Sequence, residues 1–477
     1  MTSFTATPTA ASARPALASL SLAMLLSSLG TSIANVALST LALAFGAPFQ
    51  QVQWVVLAYL LTITSLIVSA GRLGDLIGRR RLLLAGIAIF TLASALCGLA
   101  PSLWMLVAAR SVQGLGAAVM LALTIAFVGE TVPKEKTGSA MGLLGTMSAI
   151  GTALGPSLGG LLIAGAGWRA IFLVNVPLGV LAFVLALTYL PEGHRSTTAR
   201  FDIAGTMLLA LTLVSYALGM TLGRGHFGAL NVILLAAAAL GTGLFVTAEC
   251  SAASPLIRMT MLRDPALSAS LVMSALVSSV MMTTLVVGPF YLARALGLDA
   301  ARVGLVSSVG PLVAALIGVP AGRIADRIGA SRLNQAGLIA IAAGCVMLSL
   351  LAQGHGVAGY VVPIVVTTAG YALFQTANNT AVMANVRAEQ RGVVSGMLNL
   401  SRNLGLITGA SAMGAVFAFA SGATDIAAAS PDAVAGGMRI TFGVAALLVG
   451  MALVAARKAA SARATGCTSR EARCARV

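Results

Sequence analysis

The chain has 477 residues, of which 58% are hydrophobic and only 9% charged, with a mean hydropathy of +0.97. Soluble domains carry roughly 25% charged residues, so this composition excludes a soluble globular chain and calls for a bilayer. The net charge of +16 does not indicate nucleic acid, because the basic residues punctuate apolar runs and do not gather on one polar face.

About 20 apolar residues cross the hydrocarbon core, and fourteen such stretches follow one another. They are Leu17–Phe45, Val52–Ala70, Leu82–Ala100, Leu103–Val128, Ser139–Ala164, Ala170–Leu190, Ala204–Leu222, Leu230–Ala248, Ala266–Ala293, Val303–Ala321, Leu333–Leu351, Gly359–Val386, Val393–Ala418 and Met438–Ala456, numbered below as spans 1 to 14. The first resembles a signal peptide only superficially; its length and the thirteen spans behind it predict an uncleaved anchor. No soluble domain is left over. The expected fold is therefore an all-α membrane protein with fourteen transmembrane helices. Five scattered cysteines form no ligand pattern and read as free thiols.

Orientation follows from Lys and Arg in the connections. With both termini cytoplasmic, 22 of the 29 basic residues fall inside and five (Arg169, Arg224, Arg294, Arg302, Arg439) outside, while Arg110 and Arg402 lie within spans. The expected location is the cell (inner) membrane, multi-pass, with both ends inside.

Internal repetition organises the spans. "GRLGDLIG" (Gly71–Gly78), after span 2, recurs as "GRIADRIG" (Gly322–Gly329), after span 10, at an offset of 251. Spans 5 and 13 align at 254, pairing Gly151 with Gly405 and Gly155 with Gly409. Both relate span n to span n+8. The expected domains are a tail (1–16), a six-helix bundle (17–190), a linker carrying two inserted helices (191–265), a second six-helix bundle (266–456) and a basic tail (457–477). Parallel halves of this kind are a transporter architecture, with binding at the midplane.

Four stretches carry a family resemblance. "GRLGDLIGRRR" (Gly71–Arg81), "RSVQGLGAA" (Arg110–Ala118), "GTALGPSLGG" (Gly151–Gly160) and "GWRAIFLVNVPLG" (Gly167–Gly179) resemble, in order, the loop motif and the span 4, 5 and 6 motifs of the major facilitator superfamily. Nearly the whole chain is similar to its fourteen-span drug:proton antiporter branch. The resemblance of the span 5 motif implies an exporter in which this helix helps seal the cavity against leakage, and the branch implies protons as the coupling partner.

Within the span 5 motif, Gly151, Gly155 and Gly159 form a stripe without side chains, with Gly160 beside it, and Pro156 permits a bend. This predicts a tightly packed helix at the seam between the two bundles; plain helix packing is the alternative. In the loop motif, Gly71 and Gly78 would allow a tight cytoplasmic turn. Asp75 would sit against a helix N-terminus or an arginine, and Arg79 to Arg81 would meet the anionic inner leaflet. Gly322, Asp326 and Gly329 repeat the pattern, and together these residues are the candidate conformational gate. Topogenic charge alone is the alternative.

A charge within a span is costly and is a functional candidate by default. Arg110 is one, with Gln113 a turn on, and the resemblance implies a part in proton coupling. Arg402, about nine residues into span 13 and so roughly 14 Å deep, is the other. Asn35, Gln375, Asn378 and Asn379 complete the candidates for substrate contact or coupling, with helix-to-helix hydrogen bonding as the alternative for the span 12 cluster. One departure stands out. In "LGTSIANVALS" (Leu29–Ser39) the membrane-embedded aspartate expected from the family is Gly30, and the proline is Ser39. All thirteen acidic residues lie in loops, tails or at span ends, and the three histidines lie in loops.

No nucleophile or acid–base constellation sits within the spans, and no phosphate-binding loop occurs, so the chain reads neither as an enzyme nor as an ATP-driven pump. The predicted function is secondary active export of small amphiphilic compounds by alternating access. A uniporter or exporter of an endogenous metabolite without proton coupling is the alternative. The expected partners are a small-molecule substrate, the lipid bilayer and protons, with no nucleic acid, metal or cofactor, and the chain is expected to be monomeric.

Overall fold

A computed structural model describes residues 10–47, 49–191, 202–221, 228–252, 254–351, 356–384, 386–422 and 430–474. His194, His226 and His355, with Arg195, Arg200 and Arg224, lie outside the described residues. Every regular element among the described residues is helical. Among the described residues thirteen helices are long and apolar enough to cross a membrane, and a bent pair, Thr137–Gly155 with Ser157–Ala166, makes a fourteenth when counted as one span.

Helix ends sit where local chemistry puts them. The Asp264 side chain accepts from Ala266 N at 2.9 Å and Pro265 opens the helix Pro265–Phe290, span 9, as expected for an acidic cap followed by proline at the first helical position. Gly78 and Gly329, at φ 102° and 88°, end spans 2 (Trp54–Ile77) and 10 (Val309–Ile328) in a conformation that a side chain would strain. Span 1 is shorter than its apolar run: the helix Ala10–Val36 stops at Ala37 and a second helix, Leu38–Phe45, continues the stretch. In span 5 the two segments incline by 42° around position 156, where proline supplies no backbone N–H.

The chain forms two compact units. The first comprises residues 1–201 with 383–396, and the second 202–382 with 397–477. In the first, span 4 (Leu103–Thr131) packs against spans 2 and 3 (Arg79–Leu99), and span 5 lies along span 1. In the second, spans 7 (Ile203–Thr221) and 8 (Ala229–Ser251) pair as a hairpin, and span 14 (Pro431–Cys474) packs against spans 9 and 11 (Ala330–Leu351). Outward faces such as Leu240, Leu244, Leu312 and Leu447 are exposed, as lipid-facing positions must be.

The repeat is visible as matched helix crossings. A Cβ on Gly86 would meet the Gly116 carbonyl at 3.3 Å, and one on Gly116 would meet the Gly86 carbonyl at 2.6 Å. Gly337 and Gly370, at the same two offsets, strike each other's carbonyls at 2.8 and 2.7 Å. Spans 3 and 4, and likewise spans 11 and 12 (Gly356–Met383), thus cross backbone to backbone, which only small residues allow.

Candidate functional site

The glycine stripe of span 5 closes on span 1 of its own unit. A Cβ on Gly151 would meet the Leu25 carbonyl at 2.6 Å, one on Gly155 would strike Ser32 and lie 2.9 Å from Ile33 N, and one on Gly159 would press on Ile33. Two hydrogen bonds stitch this crossing: Ser32 Oγ donates to the Gly151 carbonyl at 3.1 Å, and Ser28 and Ser148 share one at 2.7 Å. The stripe thus packs within its own unit, the plain helix packing that was its alternative reading. Gly160 is not part of it, having nothing within 4 Å. The second unit repeats the device, with Gly405 and Gly409 against Ala275 and Ser279 of span 9, and Ser279 Oγ donating to the Gly405 carbonyl at 2.8 Å.

Asp75 is not in a loop. It lies in the last turn of span 2 and is 4% exposed. Its Oδ1 and Oδ2 accept from Gly392 N and Val393 N at 3.0 and 3.1 Å, the first-turn donors of the helix Arg391–Ala420, span 13, where orphan N–H groups and the helix dipole favour an anion. Arg79 pairs with the same carboxylate at 2.7 Å and also donates to the Ala388 carbonyl. Arg391 Nη1 donates to the Gly129 carbonyl at 2.7 Å. Gly71 makes no turn; it is helical and touches the Gly392 backbone so closely that neither position tolerates a Cβ. The turn belongs to Gly78 alone. In the repeat, Gly322 is buried and helical and Gly329 turns the chain, but Asp326 is exposed. Asp75→Asn keeps the shape and removes the charge, so it should weaken the ion pair and the helix cap, costing about 1 to 2 kcal/mol. A lowered melting temperature of the purified protein, with a larger loss in Asp75→Ala, is the expected readout.

Arg110 is fully buried. Its Nε donates to the Val55 carbonyl at 2.9 Å, Nη2 to the Gly30 carbonyl at 3.1 Å and Nη1 to Gln113 Oε1 at 2.6 Å. Gln113 passes the chain on to Ser94 at 2.7 Å. The guanidinium stacks 4.0 Å from the Tyr59 ring, whose hydroxyl donates to the Ser27 carbonyl at 2.9 Å. Arg110 therefore ties spans 1, 2 and 4 together and, fully buried, lines no open cavity. It reaches the carbonyl at the very position, Gly30, where the family's aspartate was expected. Tyr59 and Ser94 escaped the sequence reading because a single polar residue in an apolar span gives no periodic signal.

In the second unit Arg402 is half-buried and hydrogen-bonded to Tyr371 of span 12, and its Nε has no acceptor among the described residues. Asn378 is buried and its Nδ2 donates to the Ser270 carbonyl at 3.3 Å, the helix-to-helix bond that was its alternative reading. Gln375 and Asn379 are partly exposed beside it. Asn35 is exposed and donates to the Thr31 carbonyl of its own helix at 3.3 Å.

Glycine-laced apolar helices, with arginines spent on carbonyls and aromatic rings, mark a many-span membrane protein. Residues 20–410 match the family model of the Major Facilitator Superfamily, and the chain belongs to that family. It is 33% identical over 389 residues, 81% of this chain and 72% of the other, to the multidrug resistance protein Stp of Mycobacterium tuberculosis. To the riboflavin transporter RibZ of Clostridioides difficile it is 30% identical, over 82% of this chain and 86% of that one. A crystal structure of a bacterial homologue of the iron transporter ferroportin, in an outward-facing state, superposes with a TM-score of 0.66 at 17% identity, over 94% of this chain and 99% of that chain; at that identity it shows the fold alone.

Proposed function

We propose that this transporter exports small amphiphilic compounds from the cell by alternating access, with both termini cytoplasmic, and that it favours neutral or weakly acidic compounds over permanent cations. The span 2 to span 13 latch at Asp75 serves as its conformational gate. The observation that carries the substrate preference is Arg402: a half-buried guanidinium whose Nε meets no acceptor among the described residues, in a chain whose span interiors hold Arg110 and Arg402 and no carboxylate. Such a charge disfavours a cation by ~1 to 2 kcal/mol at about 8 to 10 Å with an effective dielectric near 20. Likeness to a protein named for multidrug resistance supports the class of cargo.

Competitive flux into proteoliposomes, with matched cationic, neutral and anionic compounds, tests the preference. The neutral and anionic members should win, and Arg402→Gln should narrow the gap. Vigorous extrusion of a quaternary ammonium dye by the unaltered protein would refute it. Likeness to a riboflavin transporter favours a second reading, a carrier of one endogenous metabolite; saturable flux of a single metabolite, indifferent to an imposed pH gradient, would select it.

A further inference from the structure

The hairpin of spans 7 and 8 holds a pair of carboxyl groups that nothing above employs. Glu249, in the last turn of span 8, is 3% exposed. Its Oε2 accepts from Ile257 N at 3.1 Å, in the segment leading to span 9. Asp202 caps span 7, its Oδ1 accepting from Gly205 N at 2.7 Å. One oxygen of each group is thereby occupied by a backbone N–H. The other two, Glu249 Oε1 and Asp202 Oδ2, converge on the spot that a Cβ would take at Gly205, and only glycine leaves them room. The two side chains are within hydrogen-bonding reach of each other.

Two ionised carboxylates can only accept, so a hydrogen bond between them requires a proton on one of them. Glu249 Oε1 is buried and meets no donor among the described residues; of these, the neighbouring carboxyl can supply one, and only in its acid form. Glu249 is buried and Asp202 half-buried, and like charges this close disfavour ionisation of both. Span 7 brings no further charged residue to the pair, and neither does span 8. The closing segment brings Arg258, followed by Arg263 and Asp264, all exposed. Arg195 and Arg200 precede Asp202 outside the described residues.

We propose that Asp202 and Glu249 together form a proton-binding site at the base of the inserted hairpin, holding one proton between Oδ2 and Oε1. The site is independent of the compound carried, and the test reads protonation and not flux, so its failure would leave the transport reading standing. Infrared difference spectra of the purified full-length protein, recorded against pH in H2O and D2O, should show a protonated-carboxyl band that moves on deuteration. It should persist above the ordinary carboxylate range of about 3.9 to 4.3. The band should vanish in both Glu249→Gln and Asp202→Asn, and remain in Arg200→Gln. Glu249→Gln retains an acceptor for Ile257 N, and circular dichroism checks its fold. Absence of the band from the unaltered protein would overturn the assignment, whatever the variants do. Its survival in both carboxyl variants would do the same, as would its displacement by sodium, which would make the pair a metal-cation site.

Discussion

Replacing Gly155 by Leu should abolish transport, while Gly160→Leu, five residues along the same helix, should leave it close to normal. At Gly155 the new side chain has no place to go: Ser32 Cβ lies 2.6 Å and Ile33 N 2.9 Å from where its Cβ would stand, and both belong to a helix already in backbone contact. Spans 1 and 5 must part. That separation breaks the Ser32 to Gly151 bond at 3.1 Å and the Ser28 to Ser148 bond at 2.7 Å. Overpacking typically costs ~1 to 3 kcal/mol, and more where backbone rather than side chain must yield. At Gly160 nothing lies within 4 Å. Initial export rates in proteoliposomes and melting of the detergent-purified variants would be compared; normal flux in Gly155→Leu would mean that the crossing is looser than its geometry.

Arg110→Lys should be nearly as damaging, although it preserves the charge. Three different atoms of the guanidinium serve three acceptors, the Val55 and Gly30 carbonyls and Gln113 Oε1, and its plane lies over Tyr59. A lysine ammonium is a single point on a flexible stem and cannot reach three elements at once. Each buried acceptor left unpaired costs about 1 to 3 kcal/mol, and a buried charge with fewer partners adds to that. The variant should therefore melt at a lower temperature and lose transport in parallel. If melting were unchanged while transport alone failed, Arg110 would act on the path of the cargo or its proton and not as a tie between spans 1, 2 and 4.

Both predictions turn on features that were only half legible in the sequence. That fourteen helices cross the bilayer, and that the family is the major facilitator one, could be read directly. Bilayer thickness and hydropathy act along the chain, and a span needs no partner to be recognised. The repeat was legible for the same reason: Gly71 with Gly322 and Gly151 with Gly405 keep their offsets. Gly86 with Gly337 and Gly116 with Gly370 keep them too, and went unread because they sit in no motif.

What tertiary structure alone decided is which way each residue turns and what meets it there. Arg110 and Arg402 look alike in sequence, each an isolated charge in a span, yet one is enclosed by carbonyls and a tyrosine ring while the Nε of the other meets no acceptor among the described residues. Asp75 and Asp326 occupy equivalent places in a repeated octapeptide, but only Asp75 is buried against the first turn of span 13. Gly155 and Gly160 share one motif, and only the first faces a helix. Glu249 counted as a span-end carboxylate until Asp202, 47 residues earlier, proved to lie beside it. Hydropathy sets whether a segment enters the membrane; the rotation of each helix about its axis, set by close packing against particular neighbours, sets which of its polar atoms find a partner there.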